Sequence, residues 1–348
     1  MPMIQSGHAP VETTTIASDR PRWQKELGQA VTTPEALCHR LALPESMLAG
    51  MTPGHRQFPV RAPEPWLRRI EPGNPDDPLL RQILPMPEEG EDQPGYVSDP
   101  LEEVSGDSAS AVSGVVHKYA SRALLMVTGA CAINCRYCFR RHFPYDEHQL
   151  GGSDWQAALD RIDADPAINE VIFSGGDPLA SPDRLLARLA AAVAGIDHVR
   201  RLRIHTRLPV VIPQRVNAEL LEWLGETPLQ KVVVVHINHP AEIDDDVHAA
   251  LKAMADTGTT LLNQAVLLRR INDNADTLEQ LSERLFECGV LPYYLHAFDP
   301  IAGAAHYDPG DERARALTRT LLERLPGFLV PKLVREVPGQ QAKQPLNL

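Results

Sequence analysis

Three of the chain's five cysteines crowd into eight residues, in the run Thr128-Gly-Ala-Cys131-Ala-Ile-Asn-Cys135-Arg-Tyr-Cys138-Phe-Arg140-Arg141. A C-x3-C-x2-C spacing suits metal ligation better than a disulfide framework, which pairs thiols drawn from distant parts of a chain. Three thiolates from one loop can hold three irons of a [4Fe–4S] cubane and leave the fourth iron without a protein ligand. Such an open iron can bind and reduce a small molecule instead of only relaying electrons. The plain alternative is a structural zinc knuckle with His142 as fourth ligand. Such sites ordinarily pair two C-x2-C units, and Cys38 or Cys288 alone supplies no second half.

A reactive loop of this kind needs a rigid mount. After Gly114 short apolar runs alternate with amphipathic stretches, which predicts βα units around a parallel sheet. Strands are expected at 123–128, 170–174, 201–205, 231–237, 260–267 and 292–297, with helices at about 153–163, 182–195, 214–224, 243–256, 275–287 and 311–325. Six strands are too few to close an eight-stranded barrel but suffice for a partial (β/α)6 TIM-like barrel. In parallel α/β folds chemistry gathers at the C-terminal ends of the strands. The cysteine run follows the first strand, and Ser174-Gly175-Gly176-Asp177-Pro178 follows the second. Adjacent glycines there let the backbone approach a ligand closely, though the same residues make an ordinary βα turn.

The remaining organisation is expected as follows. Residues 1–22 form a flexible polar tail. Residues 23–113 form an extension, helical where Trp23, Leu27, Ala30, Leu37 and Leu41 recur and where Thr33-Pro34-Glu35 resembles a helix start. From 52 onward the extension is rich in proline, as in Pro59, Pro63, Pro65, Pro72, Pro75 and Pro78, and reads as an irregular segment that wraps a scaffold. The core then covers 114–310, and 311–348 adds a helix and a short terminal segment. A net charge of −12 disfavours a sequence-independent grip on nucleic acid. No apolar run is long enough for a bilayer, and the polar start does not read as a secretory signal, so a cytoplasmic location is expected.

From about residue 23 to the end, the sequence resembles the lysine 2,3-aminomutases, a family of radical S-adenosylmethionine (SAM) enzymes. The resemblance is strongest to the short bacterial branch whose (R)-β-lysine modifies elongation factor P (EF-P). It rests on Asp77-Pro78-Leu-Leu-Arg81-Gln82, His117-Lys118-Tyr119, the cysteine loop with Arg140-Arg141, and Ser174-Gly-Gly-Asp177. Further matches are Arg203-Ile-His205-Thr206-Arg207, Pro213-Gln214-Arg215, His236-Ile-Asn238-His239-Pro240, Asn263-Gln264, Tyr293-Tyr294-Leu-His296 and the terminus Glu336-Val-Pro338-Gly339…Lys343-Gln-Pro345.

The resemblance implies a [4Fe–4S] cluster on Cys131, Cys135 and Cys138, with SAM on its open iron as the source of a 5′-deoxyadenosyl radical. It also implies pyridoxal 5′-phosphate (PLP), held as a Schiff base by Lys343. On composition alone, a lysine five residues from the end is a solvated tail residue; the resemblance is what selects it from the six lysines. Lys118 and Arg122 match positions near the PLP phosphate, with Tyr119 beside the ring. Arg140 matches the partner of the substrate carboxylate, and Asp299 and Glu336 match two acids that take the ε-ammonium of L-lysine. Gly175, Gly176, Asp177, Arg203, His205, His236 and Gln264 match positions around SAM, with His239 a weaker candidate.

Departures are also visible. Lys118 stands where relatives have arginine, which keeps charge but loses the bidentate fork. Glu336 stands where longer relatives have aspartate, and Gln340-Gln341-Ala342 replaces a glycine run. No counterpart of the longer members' extra cysteines is present, so no zinc site is expected. The stretch from His296 to Tyr307 matches the EF-P branch and implies partnership with an EF-P lysyl ligase, EF-P itself and an external electron donor. Two other readings share these residues: an aminomutase that supplies free β-lysine, and a non-enzymatic cysteine-loop metal module.

Overall fold

The computed structural model describes residues 20–104, 114–145 and 154–348, so all but the last three residues of the expected tail at 1–22 lie outside it. A single nine-stranded sheet runs in the order β1-β2-β3-β4-β5-β6-β7-β8-β9. Its strands are β1 (Val115–Tyr119), β2 (Arg122–Thr128), β3 (Glu170–Gly175), β4 (Arg201–Thr206), β5 (Gln230–His236), β6 (Thr260–Val266), β7 (Val290–His296), β8 (Lys332–Arg335) and β9 (Gln344–Pro345). Strands β2 to β8 pair in parallel, while β1 and β9 close the two edges antiparallel. The sheet is therefore an open, partial barrel, and six of its parallel strands coincide with the six read from the sequence.

Among the described residues four α-helices precede the sheet: α1 (Arg22–Gly28), α2 (Pro34–Arg40), α3 (Leu48–Gln57) and α4 (Glu64–Leu67). The crossover helices are α5 (Asp154–Asp163), α6 (Asp183–Ala194), the single turn α7 (Leu208–Val211), α8 (Ala218–Glu226), α9 (Asp245–Asp256), α10 (Ala275–Glu287) and α11 (Asp311–Arg324). Local chemistry sets their starts. Asn217, Asp244 and Asn274 each accept a backbone N–H from the first turn of α8, α9 and α10. The helix expected from 214 begins only after Asn217, because Pro213–Arg215 form a separate 3₁₀ turn. Inward stripes such as Leu186, Leu189, Ala190 and Val193 of α6 join the buried strand residues, Val233 and Val235 of β5 among them, in one continuous core.

The expected irregular wrap from 52 is partly helical, since α3 runs through Pro53 to Gln57. This extension is welded to the barrel by buried charge. Arg215, fully buried, donates to Asp183 at 2.8 and 3.0 Å and to Leu179 O at 2.6 Å, under the ring of Trp23. Glu89 of the extension takes Arg136 and Arg141 from the cysteine loop, the latter at 2.6 Å, while Arg136 Nη2 also donates to Gly54 O at 2.9 Å. Breaking one partner of such a pair strands a buried charge and costs about 3–5 kcal/mol. The extension thus fixes the loop that carries the cysteines. Among the described residues no helix is long and apolar enough to cross a membrane.

Candidate active site

The loops at the C-terminal ends of the parallel strands surround a cavity of about 570 Å³. Every residue singled out from the sequence for cluster, cofactor or substrate lines it, from Lys118 in β1 to Lys343 just before β9; the weaker candidate His239 does not.

One wall is the loop after β2, with Cys131, Cys135 and Cys138 all free thiols. Burial pushes the Cys131 and Cys138 thiols up, Cys138 to about 11, and the neighbouring cysteines push the same way. A metal centre that takes these sulfurs as thiolates must therefore displace their protons. His142 is turned elsewhere, its Nε2 3.2 Å from Ala302 O, so it does not complete a zinc knuckle. Among the described residues no three His, Cys, Asp or Glu side chains close round a single ion. A cubane takes its thiolates on separate irons, so three separate cysteines on one loop suit three of its four irons.

The loop after β3 presses directly on this wall. Gly175 has φ +125°, and a Cβ there would meet Thr128 O at 2.3 Å; one on Gly176 would meet the carbonyls of Gly129 and Ala130 at 2.6 Å. These glycines therefore serve a close backbone approach between two loops, and the Gly175 carbonyl is taken by Arg140 and Tyr145, each at 3.1 Å. Asp177 lines the cavity, yet its carboxylate accepts from Leu179 N, Thr206 Oγ1, Arg207 N and Leu208 N at 2.7–3.0 Å. It ties the loop after β3 to the loop after β4.

The other wall is assembled from distant segments. Tyr119 lies under Arg122, whose guanidinium carbon is 4.0 Å from the ring centre, and Tyr119 donates to Glu336 at 3.2 Å. Lys118 Nζ is 3.2 Å from Glu103 Oε1 and 3.3 Å from Glu336 Oε1. Lys343 pairs with the other Glu336 oxygen. Its position is fixed by β9, where Arg335 pairs with Gln344 and Leu346 N donates to Leu333 O at 3.1 Å. Arg140, buried, forks onto Glu103 at 2.6 and 3.0 Å. The result is a chain of alternating charge along the wall, Arg140, Glu103, Lys118, Glu336, Lys343.

Electrostatics differ between the acids. Burial would raise Glu336, but Lys343 and Lys118 outweigh it and hold the carboxyl at about 2. Asp299 is pushed up to about 7 by burial, with Lys343 only partly opposing, and its Oδ1 has no partner. Burial keeps His205, His236 and His296 neutral, His296 at about 3. His205 Nε2 is buried without a partner, whereas His236 Nε2 lies 2.9 Å from Tyr137 OH. Arg203 pairs with Glu170. Unpartnered buried polar atoms are costly, so Asp299 Oδ1 and His205 Nε2 on one cavity mark it as a place that a polar ligand completes.

Sequence reasoning missed Glu103 and Tyr145. Glu103 sits in the proline- and acid-rich extension, where no periodicity separates it from its neighbour Glu102; only the approach of Arg140 and Lys118 does. Tyr145 follows the cysteine loop at a distance that carries no motif.

Residues 125–285 match the family model of the radical SAM superfamily. The L-lysine 2,3-aminomutase of Escherichia coli K12 is 48% identical over 337 residues, covering 96% of this chain and 97% of that one. That of Haemophilus influenzae is 46% identical over 328 residues, covering 94% and 96%. The longer L-lysine 2,3-aminomutase of Clostridium subterminale is 32% identical over 332 residues, covering 93% of this chain and 77% of that protein.

Proposed function

The chain belongs to the lysine 2,3-aminomutase family of radical SAM isomerases, which use a [4Fe–4S] cluster, SAM and PLP, and from that premise we propose that it converts L-lysine to (R)-β-lysine for attachment to EF-P. One observation carries the reading: a single cavity brings together three cluster-spaced cysteines, Lys343, the guanidinium of Arg140 and the acids Asp299 and Glu336. Substrates with a side-chain carboxylate would meet two acids there, whereas lysine's ε-ammonium meets opposite charge.

Cys131, Cys135 and Cys138 hold the cluster, and Lys343 holds PLP with Lys118 and Arg122 as cations for its phosphate and Tyr119 beside its ring. When bound, the cluster and SAM supply a carbon-centred radical that takes a hydrogen atom from the substrate, and PLP supplies the π system through which nitrogen moves between adjacent carbons. Arg140 takes the lysine carboxylate, a match of planar fork to planar acceptor. Its fork is already paired with Glu103, so the substrate carboxylate enters by sharing or displacing that contact. Asp299 and Glu336 receive the ε-ammonium. Arrival of that cation favours ionised Asp299, so a proton leaves with binding near neutral pH. Glu336 pairs with Lys343 before either ligand binds and releases it when the lysine is engaged. Gly175, Gly176 and Asp177 shape the SAM side of the cavity, which Arg203, His205, His236 and Gln264 also line.

In this reading the enzyme acts in the cytoplasm, takes its electron from an external donor, and passes product to an EF-P lysyl ligase. Of the regions proposed at 23–113, 114–310 and 311–348, the last two share one sheet, because β8 and β9 lie beyond 311. The test is anaerobic reconstitution with iron, sulfide, PLP, SAM and a reductant, then incubation with L-lysine and chiral analysis. Formation of (R)-β-lysine is expected. Production of 5′-deoxyadenosine without β-lysine would sink the substrate assignment, and failure of a β-lysylated EF-P to form with ligase present would sink the destination.

A further inference from the structure

Arg207 is the first residue after β4, and its guanidinium lies against the cysteine wall with Nη1 2.6 Å from Cys135 Sγ. Arg140's N–H groups, by contrast, go to Glu103, Ser174 and Gly175. The other contacts of Arg207, apart from a buried Nε with no partner, hold the charge in place. Its backbone N donates to Asp177 at 2.7 Å. Nη2 donates to Gln82 Oε1 at 2.6 Å and to Glu242 Oε2 at 3.0 Å. Trp66 and Tyr137 lie with ring centres 4.7 and 5.8 Å from the guanidinium carbon. Glu242 is fully buried and is itself fixed by Gln82 Nε2 at 3.0 Å, Asn238 N at 2.9 Å and His239 N at 3.1 Å.

We propose that Arg207 sets the reduction potential of the cluster on Cys131, Cys135 and Cys138 through its charged hydrogen bond to the Cys135 sulfur, with Glu242 as the counterweight. The inference rests on the reading of these cysteines as the cluster mount. Hydrogen bonds to ligand sulfurs, net charge and burial are the levers that tune iron–sulfur potentials. Reduction adds one electron from an external one-electron donor and moves no atom, so the reduced form carries one more negative charge. A fixed cation on a ligand sulfur favours that form, and a fixed anion opposes it. Burial keeps both effects from being screened by water. The Arg fork suits the role because it bridges sulfur, amide and carboxylate together, which a lysine ammonium on a flexible stem does not. Arg207 is thus a positioning residue for the electron.

The test is an EPR-monitored redox titration of reconstituted wild type, Arg207→Gln, Arg207→Lys, Glu242→Gln and the double variant Arg207→Gln/Glu242→Gln, without SAM or lysine. Iron and sulfide are measured on each. At the wild-type midpoint, Arg207→Gln is expected to lower the reduced-to-oxidised ratio roughly tenfold, about 59 mV for one electron. Arg207→Lys falls between, Glu242→Gln shifts the midpoint upward, and the double variant returns toward wild type. A loosened cysteine loop would move all variants in one direction, whereas removal of opposite charges moves them apart. Loaded clusters with unchanged midpoints, or shifts of a single sign, overturn the assignment. If Arg207→Gln takes up no iron, the upward shift of Glu242→Gln decides in its place, and its absence overturns the proposal. A wild-type protein without about four irons overturns the cluster reading itself, a result distinct from a loaded cluster that ignores Arg207.

Discussion

The two walls of the cavity are built in opposite ways. The cysteine wall is one short loop, and long-range contacts to Glu89, Gly175 and Arg207 hold rigid what the sequence already places together. The Lys343 wall gathers short runs that lie far apart in sequence, such as His117-Lys118-Tyr119 and Glu336 to Lys343. It joins β1, the extension at Glu103, the loop after β7 at Asp299, and Glu336 and Lys343, and Arg140, Glu103, Lys118, Glu336 and Lys343 hold one another by alternating charge. Chemistry that needs several ligands on one metal centre favours residues close in sequence. Chemistry that must grip both ends of a flexible amino acid favours residues brought from different elements, so that each end is fixed independently.

The largest expected effect attacks the first wall. Cys138→Ala removes one of the three proposed ligands of the cluster, and iron content and the visible charge-transfer absorbance should collapse together with lysine isomerisation, while far-UV circular dichroism stays native. Retained four-iron stoichiometry would show that the loop is not the mount. Next, Lys343→Ala should abolish the PLP absorbance that a Schiff base gives, and turnover with it, while leaving iron content unchanged; that independence of the two walls is the sharpest form of the comparison. A persistent PLP band places the anchor on another lysine.

A smaller effect is expected at Asp299. Truncating one partner of a buried charged contact costs about 2 kcal/mol or more, so Asp299→Asn should lower kcat/KM for lysine roughly thirtyfold, with little change in loaded iron or PLP. Substrate competition with a lysine analogue lacking the ε-amine should narrow that gap; an equal loss for both would argue that Asp299 serves the fold alone.

The smallest effects concern pH. Because burial raises Asp299 to about 7, kcat/KM should climb as pH rises through that value and level off above it, and Asp299→Asn should erase that limb. The stability signs are opposite for the two acids. Asp299 holds a proton in the folded state that the unfolded chain releases above 3.8, so its contribution favours folding at low pH and fades as pH rises from there through about 7. Glu336, held at about 2 against 4.5, stabilises the fold above 4.5 and loses that contribution as pH falls toward 2. Urea titrations of Glu336→Gln against wild type at pH 7 and pH 3 should show a difference that shrinks at the lower pH.

Much of the barrel was legible because its signals are local. Apolar runs such as Val232–Val235 in β5 and the capping residues Asn217, Asp244 and Asn274 mark strands and helices where they occur. β1, β8 and β9 were not read. The first carries a register shift between Val116 and Tyr119, and the other two have only four and two residues, too short for a period to show. They become strands because neighbouring edges offer unpaired backbone groups. Likewise Ser174-Gly175-Gly176 was recognised as a loop, but its reason, a backbone approach to Thr128 and Gly129 that leaves no room for Cβ, exists only between two segments some fifty residues apart.

By itself the sequence determined the cysteine spacing and, through it, the class of chemistry proposed: three thiolates within eight residues of one loop suit a cluster. It also determined the alternation of strands and helices that puts that loop at the end of a parallel strand. What only the tertiary structure decided is the company the loop keeps. Composition alone makes Lys343 a solvated tail residue and the family resemblance selects it, but only β9, adding to the sheet edge, sets it against Glu336, and Glu103 is one more acid among many until Arg140 and Lys118 close on it. The physical reason is that ligand spacing along a loop is a local property of the chain, whereas charge complementarity across a cavity is a property of distance in space.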